Sequence, residues 1–136
     1  MSDETTTETK TTTTKRAPRK AAPAKPATTP TDAVLAEVKA ERTRQDERWG
    51  EQNHPLIGGL TPKARLVAEY AREENQWQEI NKHRVRLGAM GFDSIAAEEL
   101  YEALSARDVA EARAEYVQLA AVAVAAVEAI DRGVTK

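Results

Sequence analysis

Apolar residues recur three or four positions apart through most of residues 31–136, and no segment alternates between apolar and polar positions as a strand does. This pattern predicts helices. The first runs from about Asp32 to Trp49, and the second opens at Thr61-Pro62, a capping hydroxyl before a first-turn proline, and ends near Gly88. The segment between them, Gly50 to Gly59, is predicted as a loop because it contains a proline and a Gly-Gly pair.

Two further helices complete the pattern. The third is predicted from about Ser94 to Ser105 with Asp93 or Ser94 as its cap, and the fourth is capped by Asp108, with Glu111 three residues later in a capping-box pattern. The fourth helix is apolar nearly all round, through Leu119, Val122, Val124, Val127 and Ile130. Because a helix of that kind is buried, we expect an all-α four-helix bundle completed by oligomerisation, as a homodimer or homotetramer.

Residues 1–30 differ sharply from the rest of the chain. They consist mainly of Thr, Lys, Ala and Pro, so they cannot bury enough apolar surface to offset the entropy of ordering. We predict a disordered tail over 1–30, with formal charge +3, and a helical domain over 31–136, with formal charge −5. The tail is interpreted as a solubilising segment. The alternative is weak contact with nucleic acid through Lys15, Arg16, Arg19 and Lys20, although no aromatic residue interleaves these charges for base stacking.

The composition limits the kinds of site that the chain can form and indicates its cellular compartment. The chain has no cysteine, which excludes disulfides and thiolate chemistry. The longest nearly apolar stretch, Tyr116 to Ile130, is shorter than the roughly 20 residues that a membrane span needs. We therefore expect a soluble cytoplasmic protein without a membrane partner, whose acidic domain suits a cation better than a nucleic-acid surface.

Acidic side chains on the last two predicted helices form the candidate site. Glu98, Glu99 and Glu102 lie on the third helix, and Glu115 and Gln118 lie on the fourth. Residues three apart share a helix face, so Glu99 points with Glu102 and Glu115 points with Gln118. At about 1.5 Å per residue, Glu99 and Glu115 stand roughly 11 Å and roughly 13 Å from the intervening turn, so an antiparallel hairpin brings them level.

The chemistry of this cluster favours a hard cation. Mg²⁺ prefers oxygen ligands, and carboxylates supply both oxygen and compensating charge. Glu115 and Gln118 also continue the stripe of Val122, Ala125 and Ala129, where a charged group needs a partner. Carboxylates that face each other need a cation between them, or one must stay protonated. The alternative is that these glutamates form a solvated helix face, as most helix glutamates do.

At these residues the chain resembles the MazG-like all-α nucleoside triphosphate pyrophosphohydrolases. That superfamily pairs an E-E-x-x-E motif on one helix with E-x-x-D on the next; here the first is Glu98 to Glu102, and the second is Glu115 to Gln118, with glutamine where aspartate is usual. Two longer runs, Glu41 to Pro55 and Gln118 to Asp131, resemble a phage and actinobacterial subgroup. Together the three pieces cover most of residues 31–136.

The resemblance implies Mg²⁺-dependent hydrolysis of a (d)NTP to the (d)NMP and pyrophosphate, with Mn²⁺ as a second possible cation. By position, Glu99, Glu102 and Glu115 are expected as metal ligands, Gln118 as a fourth, and Glu98 as a ligand or water-orienting base. The amide oxygen of Gln118 brings no charge, so it binds a cation more weakly than aspartate. The alternative function is therefore a catalytically weakened nucleotide-binding or helical interaction module.

Residues outside the motif are candidates for binding the nucleotide. Asn53 and His54 precede a loop proline and are expected to contact base or sugar, although such residues also order loops. Trp49 can stack on a base or belong to the core at a helix end. Lys63 and Arg84 are candidates for the triphosphate, because their cations match phosphate oxygens, and solvated surface charge is the alternative.

Overall fold

A computed structural model describes residues 28–136, which form four α-helices and no strand. They are α1 (Pro30–Trp49), α2 (Lys63–Leu87), α3 (Phe92–Ser105) and α4 (Val109–Asp131). The predicted all-α class and the number of helices are confirmed for this part of the chain. The predicted disorder and nucleic-acid contact of the tail fall on residues that lie, apart from 28–30, outside the described ones.

Helix starts differ from the prediction at three of the four helices. α1 begins two residues early, because Thr29 accepts from Asp32 N at 3.1 Å while the Asp32 carboxylate accepts from Thr29 N at 2.9 Å. This closes a capping box. The predicted Thr61 cap is wrong, since α2 begins at Lys63 with Pro62 at the cap position and no side-chain hydrogen bond there. α2 ends as predicted, with Gly88 in the left-handed conformation that glycine adopts without strain.

The side-chain hydrogen bonds at the starts of α3 and α4 differ because a neighbouring side chain competes for the predicted cap of α3. Neither Asp93 nor Ser94 caps α3, which begins at Phe92, because the Asp93 carboxylate pairs with Arg84 of α2 instead. Asp108 does cap α4, accepting from Glu111 N at 2.8 Å. Glu111 accepts in turn from the Arg107 backbone N–H at 2.6 Å, one residue before the position that a regular capping box uses.

The helices pack as a chain of neighbours. α3 packs against both α2 and α4, and α1 packs against α4. The rings of Tyr70 on α2 and Tyr101 on α3 lie 6.2 Å apart, within the range of a stabilising aromatic pair. Small side chains are buried along α4 and α3, among them Ala103 and Ala112, so the backbones of these two helices can approach closely.

The predicted burial of α4 included partner helices from other copies of the chain, and within the single chain this helix is only partly buried. Only Ala112 and Ala129 of this helix are buried, while Val117 is 55% exposed and Ile130 is 63% exposed. The reason is geometric, because α4 has neighbours on two sides, α1 and α3, and its remaining side is open. Across residues 28–136, no helix has both the length and the apolar character that crossing a bilayer requires.

Candidate functional site

Three carboxylates from two helices converge at the centre of the α3–α4 hairpin. Glu99 and Glu102 of α3 and Glu115 of α4 each offer one carboxylate oxygen, and these oxygens all lie within 4.8 Å of one another. All three residues are half-buried. We call these three residues the acidic cluster. The three-residue spacing on α3 and the height match across the hairpin are the features that bring its members together.

Burial and neighbouring negative charges disfavour the ionised forms of Glu99 and Glu102 in the acidic cluster. Burial is the largest cause that raises the pKa of Glu99, and the negative charges of Glu115 and Glu98 raise it further. Burial also raises the pKa of Glu102, with smaller contributions from Glu99 and its neighbours, while a hydrogen bond from Gln78 acts in the opposite direction. In addition, Glu99 Oε2 is buried with no hydrogen-bond partner among the described residues. Such a group is costly unless a proton or a cation compensates it.

Gln118 adjoins the cluster without facing it as a ligand. Its Nε2 donates to Glu115 Oε2 at 2.5 Å, so the amide presents its N–H to the carboxylate rather than its oxygen. A cation needs the oxygen. Gln118 is exposed, so its amide can turn through half a rotation without meeting the core.

Glu98 stands apart from the three converging carboxylates. Its Oε2 accepts a hydrogen bond from Asn81 Nδ2 on α2, which holds the carboxylate toward that helix. One of its two oxygens is therefore engaged, and the other remains to accept a proton or a hydrogen bond.

Helix α2 contributes side chains that the sequence analysis missed. Gln78 Nε2 donates to Glu102 Oε1 at 3.0 Å and to Glu74 Oε1 at 3.1 Å, and the Ser105 hydroxyl donates to the other oxygen of Glu74. The spacing of these residues along α2 could have identified them. Glu74, Gln78 and Asn81 continue, in steps of three and four, the stripe that begins at Val67 and Tyr70 and faces the core.

A cavity of about 360 Å³ opens beside the acidic cluster. Its lining is strongly acidic, with Glu74, Glu102, Ser105, Ala106, Arg107, Glu111, Glu115 and Gln118. Arg107 is the basic residue of this lining; it pairs with Glu111 at 3.1 Å while its side chain stays 87% exposed. The cavity thus combines cation-binding groups with one guanidinium at its edge.

The predicted nucleotide-binding residues are not all brought to the cluster. Trp49, Asn53 and His54 line a separate surface pocket at the end of α1, where Asn53 Nδ2 donates to Glu51 Oε1 at 3.0 Å. Lys63 lines a third pocket, which shares Ser105, Ala106 and Arg107 with the acidic cavity and so borders it.

Arg84 lies elsewhere again. Its Nη1 is 2.9 Å from both carboxylate oxygens of Asp93, so the guanidinium ties the end of α2 to the first turn of α3. This ion pair holds the pKa of Asp93 below its usual value, mainly through the Arg84 hydrogen bond. In the structure Arg84 therefore acts as a link between two helices and lines neither the acidic cavity nor the α1 pocket.

Comparisons of the chain with protein-family models, with curated proteins and with solved structures found no match. Membership of the MazG-like family, expected from Glu98 to Glu102 and Glu115 to Gln118, therefore stays a prediction.

Proposed function

We propose that the protein hydrolyses a nucleoside triphosphate to the monophosphate and pyrophosphate in a reaction that depends on a divalent cation, Mg²⁺ or Mn²⁺. The observation that carries the proposal is the convergence of Glu99, Glu102 and Glu115 within 4.8 Å. The resemblance to MazG-like enzymes supplies the substrate class and the products.

The residues of the cluster fit a hard cation in chemistry and in charge. Three oxygen donors from separate side chains match the ligand preference of Mg²⁺, which commonly binds through a few carboxylates and keeps several waters. The hydrogen bonds that the cluster receives come from the neutral amides of Gln78 and Gln118. These amides leave the negative charge uncompensated, and a cation would compensate the buried Glu99 Oε2, which has no hydrogen-bond partner among residues 28–136.

The chain's own residues would divide the work as follows. The acidic cluster holds the cation, which when bound supplies polarisation of the phosphates and a more acidic water. Glu98 keeps one oxygen on Asn81 and lies outside the lining of the acidic cavity. By its place in the motif, its other oxygen would serve as the base for the attacking water. As the water oxygen bonds to the α-phosphorus, the bond between that phosphorus and the bridging oxygen breaks, pyrophosphate leaves, and Glu98 takes the proton.

Basic residues near the cavity are the candidates for the triphosphate. Arg107 lines the acidic cavity, and Lys63 borders it through the shared Ser105–Arg107 wall. Trp49, Asn53 and His54 remain candidates for the base or sugar, in a pocket of their own about 620 Å³ in volume. That pocket shares no lining residue with the acidic cavity.

The proposal includes a homo-oligomer with the MazG-like bundle arrangement. Exposed apolar side chains cover a groove between α1 and α4, where Leu35 and Val38 of α1 face Val117 and Val127 of α4. A contiguous apolar surface of this kind is typical of an interface. A second copy of the chain, as a dimer or in a tetramer, would bury the open side of α4.

A weakened nucleotide-binding or helical interaction module is the second candidate. Gln118 favours it, since the position brings no charge and turns its N–H to Glu115. Turnover by the wild-type protein separates the two candidates.

The direct test is incubation of the purified protein with each (d)NTP and Mg²⁺, followed by an assay for pyrophosphate. We expect Glu99→Ala and Glu102→Ala each to abolish turnover while the circular dichroism of the helices is unchanged. Glu73→Ala, an exposed glutamate of α2, is the matched control and should keep wild-type activity. Turnover that persists in both cluster variants would exclude these carboxylates as the reacting site.

A further inference from the structure

Two neutral amides on α2, one helical turn apart, connect this helix to the carboxylates of α3. Gln78 and Asn81 are three residues apart, so they share a face of α2. Gln78 donates to Glu102, and Asn81 donates to Glu98. The two carboxylates are themselves four residues apart on α3, so the pairs are stacked one above the other along the interface.

The Asn81 amide is held from both sides. The residue is only 7% exposed, and Nδ2 donates both to the Glu98 carboxylate and, at 3.1 Å, to the backbone carbonyl of Ser94. Ser94 is completely buried. Both N–H groups of the amide are thus used, and the rotation of its side chain is restricted by the first turn of α3.

The Gln78 amide bridges two carboxylates of different helices. It donates to Glu102 Oε1 at 3.0 Å and to Glu74 Oε1 at 3.1 Å. Glu74 is fixed in turn by the Ser105 hydroxyl at the end of α3. A side chain of α2 therefore sets the orientation of the Glu102 carboxylate, although the acidic cluster itself lies in the α3–α4 hairpin.

We propose that Gln78 and Asn81 are positioning residues: Gln78 orients the Glu102 carboxylate within the acidic cluster, and Asn81 fixes the Glu98 carboxylate beside it. This inference rests on the proposed function. Amides suit the role because they donate hydrogen bonds to a carboxylate without neutralising it, whereas Lys or Arg at these positions would compete with the cation for charge. Partners that orient metal ligands in this way typically contribute about 10- to 100-fold to metal affinity.

The test is calorimetric titration of the whole protein with Mg²⁺ alone, without nucleotide. Gln78→Met and Asn81→Leu remove the amide and keep the approximate size of the side chain. Gln78→Met should weaken Mg²⁺ binding by about 10-fold or more, because Glu102 belongs to the acidic cluster, while its melting temperature in a chelator stays within a few degrees of wild type. Asn81→Leu should weaken Mg²⁺ binding less, because Glu98 stands outside the cluster. Gln76→Met and Asn75→Leu, the same changes at exposed positions of α2, should bind Mg²⁺ as wild type does.

The outcomes separate this inference from the proposed function. Wild-type Mg²⁺ affinity in Gln78→Met overturns the positioning role, even where the protein hydrolyses nucleotides. If Asn81→Leu does not fold, Gln78→Met alone decides. A protein that binds Mg²⁺ but hydrolyses no (d)NTP loses the proposed function and keeps the positioning role if the variants bind more weakly. A wild-type protein that binds no Mg²⁺ overturns both.

Discussion

Gln118 donates its Nε2 to Glu115 Oε2 at 2.5 Å, across one turn of α4. The pair places a neutral donor at the position where the proposed MazG-like family would carry a second carboxylate. The amide therefore donates to Glu115 without adding to the negative charge that attracts a cation.

Gln118→Asp should strengthen the cation site. It exchanges the donor for a fourth carboxylate beside the acidic cluster, and we expect Mg²⁺ to bind about tenfold more tightly or better, because charge count tunes the affinity of oxygen sites. The measurement is calorimetric titration with Mg²⁺, and Gln76→Asp on the exposed side of α2 controls for the added charge. If the second candidate function holds, Gln118→Asp should also gain pyrophosphohydrolase activity. Equal Mg²⁺ affinity in Gln118→Asp and Gln76→Asp would contradict a ligand role at position 118.

The metal-free protein should become more stable as the pH is lowered from neutrality. Burial raises the pKa of Glu99 and of Glu102 in the folded protein. A carboxyl group with a raised pKa takes up its proton first in the folded state, so folding is favoured as the pH falls through the raised pKa and the gain is complete near the ordinary value of 4.5. Asp93 and Glu111, whose pKa values are lowered by Arg84 and Arg107, act in the opposite sense only below their ordinary values.

Urea unfolding in a chelator between about pH 7.5 and about pH 5 measures this effect. Glu99→Gln should flatten the dependence, because it removes one of the two groups, and saturating Mg²⁺ should also flatten it by favouring the ionised forms. Glu73→Gln is the control on exposed surface. An equal dependence of the unfolding free energy on pH in wild type and in Glu99→Gln would show that the pKa of Glu99 is not raised in the folded protein.

Asp108→Ala should destabilise the protein by about 1 kcal/mol, because it removes the side-chain oxygen that accepts from Glu111 N at the start of α4. The cost appears in the free energy of unfolding from urea titration. Asp131→Ala, at the other end of the same helix, should cost nothing, since a carboxylate there gains no favourable interaction with the helix dipole. Equal losses in both variants would argue against a cap at Asp108.

Val117→Lys should prevent the proposed association of two copies of the chain. Val117 lies on the open side of α4 and lines the groove that it forms with α1, so a buried ammonium there would oppose association of two copies. Light scattering after size-exclusion chromatography gives the mass. Leu87→Lys is the control, because Leu87 is similarly exposed at the end of α2 and does not line this groove. A wild-type protein that is already monomeric at high concentration contradicts the interface.

The hairpin and its carboxylates could be predicted from the sequence because they depend on local spacing. Glu99, Glu102 and Glu115 lie within one helix–turn–helix segment, where the rise per residue and the Asp108 cap set their relative heights. Periodicity also indicated the four helices. These features need no knowledge of how distant parts of the chain pack.

The features that the sequence did not reveal depend on contacts between distant residues. The Asp93 cap was mispredicted because Arg84, nine residues earlier, takes its carboxylate. Gln78 and Asn81 were missed because polar residues in an apolar stripe are informative only when the facing helix is known. The burial of α4 also depends on whether its neighbours belong to the same chain or to another copy, which its hydropathy does not identify.

Helix α1 packs against α4 and, within residues 28–136, against no other helix, while the acidic cluster and its amides are assembled from α2, α3 and α4. The pocket at the end of α1 and the acidic cluster are thus built by separate parts of the fold. Substitutions in α1 can therefore accumulate and change what that pocket accepts, while the acidic cluster is inherited unchanged.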